Sequence, residues 1–385
     1  MDTLYTFDLK FMYLAFGHDP WSVKEYFSLL CGCTKGGLGE SCRIWTNTEY
    51  TALHQVAREK LIEEEFDFGS AAPPSSEYQN FVRLENKGVH GYGPFVNIIS
   101  VDKLYLDTYH GKQNTSNSLE RTLERYIRNN MMEGDNDSIF DDYLDILSIN
   151  CKMPWFVIKK VREGKSPGFI GHDCDNFRSA WYSSTVCELD AVQVVADYIL
   201  EGKFEESERY RSGAVLPALL LSHGFQIEDD EYLHDYFMSV YLFYGIYEEL
   251  TSLHTSEAQL HRLKLLCEKF KFYSGRTIYS NKDELDHETI YGHCLHTVYH
   301  QMAVRWHRQS GLGYGYFSMQ SGEHVNKTFK IMFKSRTNGK FSDSEINGYD
   351  SFAACLHINK MRFVLHDLRK TKGETRRIEK LEFLK

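Results

Sequence analysis

The hydrophobic pattern of this chain changes character along its length. Residues 3–7 are β-branched and aromatic and read as a short strand that stops at Asp8, which therefore stands at a strand's C-terminal end. Residues 9–16 turn to helical spacing and end near Gly17 and the breaker His18-Asp19-Pro20. Two polar, glycine- or proline-rich stretches, 36–39 and 69–77, read as loops flanking a helix over 48–65. An apolar segment at 94–99 leads into strand-like Val101-Asp102-Lys103-Leu104-Tyr105-Leu106-Asp107, and 118–129 is helical with alternating Glu and Arg. From Ser138 onward, apolar residues recur every three or four positions over 140–149, 154–162, 186–201, 214–223, 231–251 and 257–273, which predicts a helical block. A helix over 287–307 comes next, closed by Gly311-Leu-Gly-Tyr-Gly315. Another, 321–334, carries Glu323 in its first turn, and a last, 351–368, precedes a basic tail around Arg376-Arg377.

This pattern predicts a mainly α fold with a small α/β part. Composition agrees: 42% of the 385 residues are hydrophobic and 25% charged, ordinary for a globular protein able to bury a core. Seven prolines and no repeat leave little room for long linkers, so interleaved parts are expected rather than separate beads. No run of about 18 uncharged apolar residues occurs, and the N-terminus lacks the basic and apolar regions of a signal peptide, so no membrane partner is expected and an intracellular location is. Nine cysteines, scattered apart from Cys31-Gly32-Cys33, do not form a disulfide framework, and the close pair points to metal. The net charge of −10 argues against a surface that coats nucleic acid everywhere. It hides an asymmetry, because residues 302–385 carry 16 Lys and Arg against 8 Asp and Glu. That basic portion is where a phosphate backbone would dock.

Candidate chemistry falls at three places. One kind of metal-dependent phosphoryl-transfer site, that of RNase H-like nucleotidyl transferases, uses two divalent ions held by carboxylates remote in sequence, two at strand ends and one on a helix. Asp8 and Glu323 fit two of those positions, although Asp8 can equally cap a helix and Glu323 can sit in a first turn for its dipole. His293, His296 and His300 lie on one stripe of the predicted helix, so any two can bind one metal ion together, and tetrahedral zinc accepts ligands split between a helix and a tight turn. Lys327, Lys330, Lys334 and Arg336 recur at three- and four-residue steps beyond Glu323, either as a phosphate-binding stripe or as a solvated face. Arg305, His307, Arg308 and the tail lengthen it. The 311–315 glycines come after a helix and lack a Lys-Ser/Thr sequel, so they read as a turn rather than a phosphate loop.

Taken in order, four segments resemble the C-terminal part of the catalytic core of the V(D)J recombination-activating recombinase and Transib-type DDE transposases. They are Tyr5-Thr-Phe-Asp-Leu-Lys-Phe11, Tyr26-Phe-Ser-Leu-Leu-Cys-Gly-Cys-Thr-Lys35, Leu295-His-Thr-Val-Tyr-His300 and Glu323-His-Val-Asn-Lys327. A fifth, weaker match is residues 101–107. The resemblance implies a partial RNase H-like core interrupted by a long helical insertion. Residues 1–45 would hold the core and cysteine turn, 46–290 the insertion, 291–345 the histidine and catalytic-Glu helices, and 346–385 a C-terminal helix and basic tail.

It further implies metal-dependent DNA strand cleavage and transfer, with Asp8 and Glu323 binding Mg²⁺ or Mn²⁺, and a zinc site built from Cys31, Cys33, His296 and His300. DNA, a homodimer or a complementing N-terminal polypeptide, and a nuclear or other intracellular location go with it. The chain departs from the family pattern twice. The family's Cys-x2-Cys falls on Ser28 and Cys31, leaving Cys33 to replace a thiolate, and the first catalytic Asp has no counterpart, Asp2 lying on the same short strand as Asp8. With two of three carboxylates, the chain is expected to be incomplete or inactive by itself, and a non-enzymatic DNA- or protein-binding fragment is the alternative. Asp102 and Asp107 are the spare acids.

Overall fold

The computed structural model describes residues 5–7, 12–13, 16–18, 29–33, 42–68, 73–92, 96, 99–130, 138–164, 167–170, 172–185, 188–227, 229–279 and 290–318. All of them fall in the first of the two units into which the chain divides, Met1–Ser318 and Met319–Lys385. The described fold is mainly α, as the periodicity predicts. Its helices are α1 (Asn47–Glu63), α2 (Ser76–Leu84), α3 (Thr108–Asn129), α4 (Ser138–Asp145), α5 (Pro154–Glu163), α6 (Asp173–Ser179), α7 (Glu188–Glu201), α8 (Glu208–Arg211), α9 (Val215–Ser222), α10 (Glu231–Thr251), α11 (Glu257–Ser274), α12 (Ile290–His293) and α13 (Tyr299–Ser310). π-helical turns extend α4 (Ile146–Asn150) and α12 (Cys294–Val298).

Local sequence sets many of the helix starts. Thr46 and Glu49 form a reciprocal capping box at α1, as Ser256 and Gln259 do at α11, so first-turn N–H groups find acceptors. Asp107 caps α3 by accepting from the N–H groups of Tyr109 and His110, at 3.0 and 2.9 Å. This cap starts α3 ten residues before the helix that the Glu/Arg alternation marks. A further helix, α2, starts inside the stretch expected to be loop, with Ser75 as its cap.

α10 is the centre of the unit. From Tyr236 to Tyr247 nearly every residue is apolar or aromatic and all are buried, the pattern of a helix enclosed on all sides, and it packs on α11, α7 and α3. The aromatic richness of the chain is accommodated in part by pairing core hydroxyls with backbone carbonyls. Tyr236 donates to Leu119 O at 2.8 Å and Tyr241 to Trp181 O at 2.9 Å, so these large rings are buried without orphaned polar ends. A small separate cluster, Ala57, Leu61, Tyr78 and Val82, joins α1 to α2.

The α/β part consists of β1 (Tyr5–Phe7) and β2 (Leu104–Leu106), paired in parallel with Phe7 opposite Leu106. A parallel pair needs a long crossover, here nearly a hundred residues that include α1 and α2. β2 comes from inside the segment expected to be an insertion, so that segment is tied to the N-terminal strand by backbone pairing. No described helix is long and apolar enough to cross a membrane.

Candidate metal centre

Three separate stretches meet at one point. Residues 29–33 and 42–46 run antiparallel, with a bridge between Cys31 and Ile44 and a hydrogen bond from Trp45 N to Leu30 O at 2.8 Å. This pairing sets Cys42 beside Cys31 and Cys33. Gly32 lies under the Trp45 ring so closely that a Cβ there would fall 2.8 Å from the indole, so a larger residue between the two cysteines would have to displace the ring. The third stretch is the end of α12, which supplies His293.

The 42–44 segment is held to α13 by one side chain. Gln301 donates from Nε2 to Cys42 O at 2.6 Å and accepts at Oε1 from Ile44 N at 3.1 Å. Both ends of the amide are thereby used, which fixes the cysteine segment against the histidine helix without any ion.

The three Sγ atoms and one His293 ring nitrogen all lie within 4.8 Å of one another. His293 Nε2 is 3.1 Å from Cys31 Sγ and 3.7 Å from Cys42 Sγ. Zn–S bonds of about 2.3 Å and Zn–N bonds of about 2.0–2.1 Å at a tetrahedral centre place S···S at about 3.8 Å and S···N at about 3.6 Å, so the observed spacing fits zinc. Cys31, Cys42 and His293 are buried, and Cys33 is partly exposed. Burial pushes the Cys31 thiol up, with Cys33 and Cys42 adding to the effect. Hydrogen bonds from Cys31 and Cys42 hold Cys33 far below the ordinary thiol range. A divalent ion binding there would displace the thiol protons and take all three sulfurs as thiolates. Four protein ligands leave no open coordination position, so the arrangement can staple the fold but cannot activate water.

The expected ligand set is corrected in part. Cys31 and Cys33 converge as anticipated, but His296 and His300 do not join them. His296 is buried against α11, its Nε2 3.0 Å from Ser274 Oγ and its ring against Phe270 and Tyr279. His300 lies near Lys264, Glu268 and His261, and burial, then the Lys264 charge, lowers its pKa. The cause is the π-helical turn at Cys294–Val298, which inserts one residue into the helix. One added residue rotates what comes after the turn, His300 included, by about 100° relative to a regular helix, and His296 lies within the turn itself. Cys42 went unrecognised as a ligand. Its only signal in the sequence is the glycine-rich stretch 36–39, which reads as a loop between Cys33 and Cys42.

Asp8, Glu323, Lys327, Lys330, Lys334 and Arg336 lie outside the described residues. Asp107 directly succeeds β2 but is buried, its carboxylate spent on the α3 cap and on His110 Nδ1 at 2.5 Å. Asp102 accepts from Asn47 N at 3.2 Å and faces Arg305 at 3.8 Å. Asp107 is thereby committed to its cap, while the Asp102 side chain remains 46% exposed. Arg305 donates to Leu104 O at 2.7 Å and lies over the Tyr105 ring, which fastens β2 to α13. No protein-family model, curated protein or solved structure matches the chain.

Proposed function

We propose that this chain is a transposon-derived, DDE recombinase-like protein that handles DNA and whose N-terminal segment is stapled to its helical block by one zinc ion. The observation that carries the reading is the meeting of Cys31, Cys33 and Cys42 with His293 across more than 250 residues. A cysteine turn tied to a late histidine helix is the device that the resemblance implies for joining the catalytic core to its insertion. The parallel strand pair adds support, since Asp8 comes after a strand at the end where carboxylates of an RNase H-like core are placed. In this reading Asp8 and Glu323 hold Mg²⁺ or Mn²⁺, and Lys327, Lys330, Lys334 and Arg336 contact the phosphate backbone.

The test is DNA binding and nicking by the purified full chain. Replacing the four basic residues with glutamine lowers the slope of log affinity against log salt by about 3 to 4, at roughly 0.9 per phosphate contact. Nicking that depends on Mg²⁺ or Mn²⁺ and disappears in Asp8→Asn and Glu323→Gln supports strand cleavage. Salt-sensitive binding with no nicking supports the non-enzymatic DNA-binding reading. A chain that neither binds nor nicks DNA overturns both.

A further inference from the structure

α5 is built with its polarity reversed. Lys160 is turned inward, 4% exposed, and its ammonium lies 2.5 Å from both Glu120 and Glu124. Phe156 is buried beside it against Phe169. Outward stand Trp155, 78% exposed, Ile158, 55%, and Val161, 64%. At about 100° per residue, these three and Arg162 span roughly a third of the helix circumference. The preceding π turn adds Ile149, 70% exposed, and the corner between them passes through Lys152 at φ 54°, a left-handed conformation costly for a lysine. Trp155 alone exposes on the order of 150 Å². With its neighbours the patch reaches the size of the largest apolar patches on monomeric proteins, about 300–600 Å².

A surface helix ordinarily shows solvent its polar face. Here the buried ion pairs hold the helix in the opposite sense, and a rigid tryptophan with β-branched neighbours has the composition of a binding hot spot. The rim is basic. Lys152, Lys159 and Arg162 are exposed around the patch with Glu163, in a stretch of chain that is otherwise strongly acidic.

We infer that the outer face of α5 is a docking surface for an acidic amphipathic helix of a partner protein. Charge complementarity selects this occupant. A second copy packing α5 on α5 would set basic rims together, and the chain's own residues 319–385 carry 14 Lys and Arg against 8 Asp and Glu. An anionic bilayer is recruited by clusters of about four to eight Lys and Arg, more than this rim supplies.

The experiment uses the full chain and four probes: a short amphipathic Leu/Glu helical peptide, its Leu/Lys counterpart, phosphatidylserine vesicles, and sedimentation for self-association. The Leu/Glu peptide is expected to shift tryptophan emission to the blue and to bind more weakly as salt rises. Trp155→Ser with Ile158→Ser weakens that binding roughly thirty-fold, the loss of a hot-spot residue of about 2 kcal/mol. Melting temperature and zinc content stay unchanged in the double variant, because both side chains face outward. Equal binding of the Leu/Lys peptide, vesicle binding or dimerisation abolished by the double variant, absence of Leu/Glu binding, or a lower melting temperature in that variant each overturns the inference. Zinc content and DNA binding are scored separately, so failure here leaves the metal reading intact.

Discussion

Replacing Cys42 with serine tests the metal centre at the ligand that the cysteine turn alone does not supply. The contact between Cys31 and His293 closes a loop of 262 residues, and a cross-link of that span restricts the unfolded chain by about 5 kcal/mol at most. For a unit of about 300 residues, each kcal/mol shifts the melting temperature by about 2 °C, so loss of the staple lowers it by about 10 °C. The assay is elemental analysis for zinc, paired with calorimetry in the presence and absence of a strong chelator. Wild type is expected to hold one zinc per chain and to lose about 10 °C on chelation. Cys42→Ser and His293→Ala hold less zinc, melt near the chelated wild type and respond little to chelator. His300→Ala keeps its zinc and its chelator response, because His300 lies against α11. Loss of zinc in His300→Ala with retention in Cys42→Ser would falsify the assignment and restore the helical-stripe ligand set. A wild type that binds no zinc refutes the staple altogether.

Three further outcomes concern the core. Lys160→Met leaves Glu120 buried without its cation and costs about 3–5 kcal/mol by urea unfolding, whereas Lys160→Met with Glu120→Met recovers most of the loss; equal stability of the two variants contradicts the buried pairing. At Gly111 an added Cβ would lie 2.2 Å from Tyr299 Oη and 2.6 Å from Tyr247 Oη, so Gly111→Ala costs about 1–3 kcal/mol, and adding Tyr299→Phe relieves part of it. Burial lowers the pKa of His54 and of His300 below 6.5, so the folded state binds fewer protons than the unfolded state just under that pH. Stability of the zinc-free protein is therefore full above about pH 6.5, falls as pH drops below it, and levels off beneath the folded pKa values; urea titrations in which His54→Gln does not flatten this slope count against the assignment.

The long helices were legible because burial on one or all sides writes itself into the spacing of apolar residues. α10 spans the same residues that its pattern marks, and α5, α7 and α11 agree within one or two residues at each end. Capping chemistry was less legible: Asp107, which reads as a spare acid, is the cap that starts α3. β2 was visible as a strand-like segment, but its partner was not, since pairing across nearly a hundred residues depends on where the intervening helices pack.

The sequence by itself determined the helical class, the strand before Asp8, and the presence of a cysteine turn and a histidine helix suited to one metal. Tertiary structure decided which residues meet. The π-helical turn contains His296 and rotates His300 relative to a regular helix, and nothing in an i, i+3, i+7 spacing reveals an inserted residue. Antiparallel pairing of residues 29–33 with 42–46, locked by Gln301, delivers Cys42 as the remaining sulfur. The inward turn of Lys160 likewise depends on Glu120 and Glu124 from α3, so the apolar outer face of α5 exists only in the folded chain. A metal site and a docking face are both matters of where side chains point, and that direction comes from packing, which local residue order constrains without specifying.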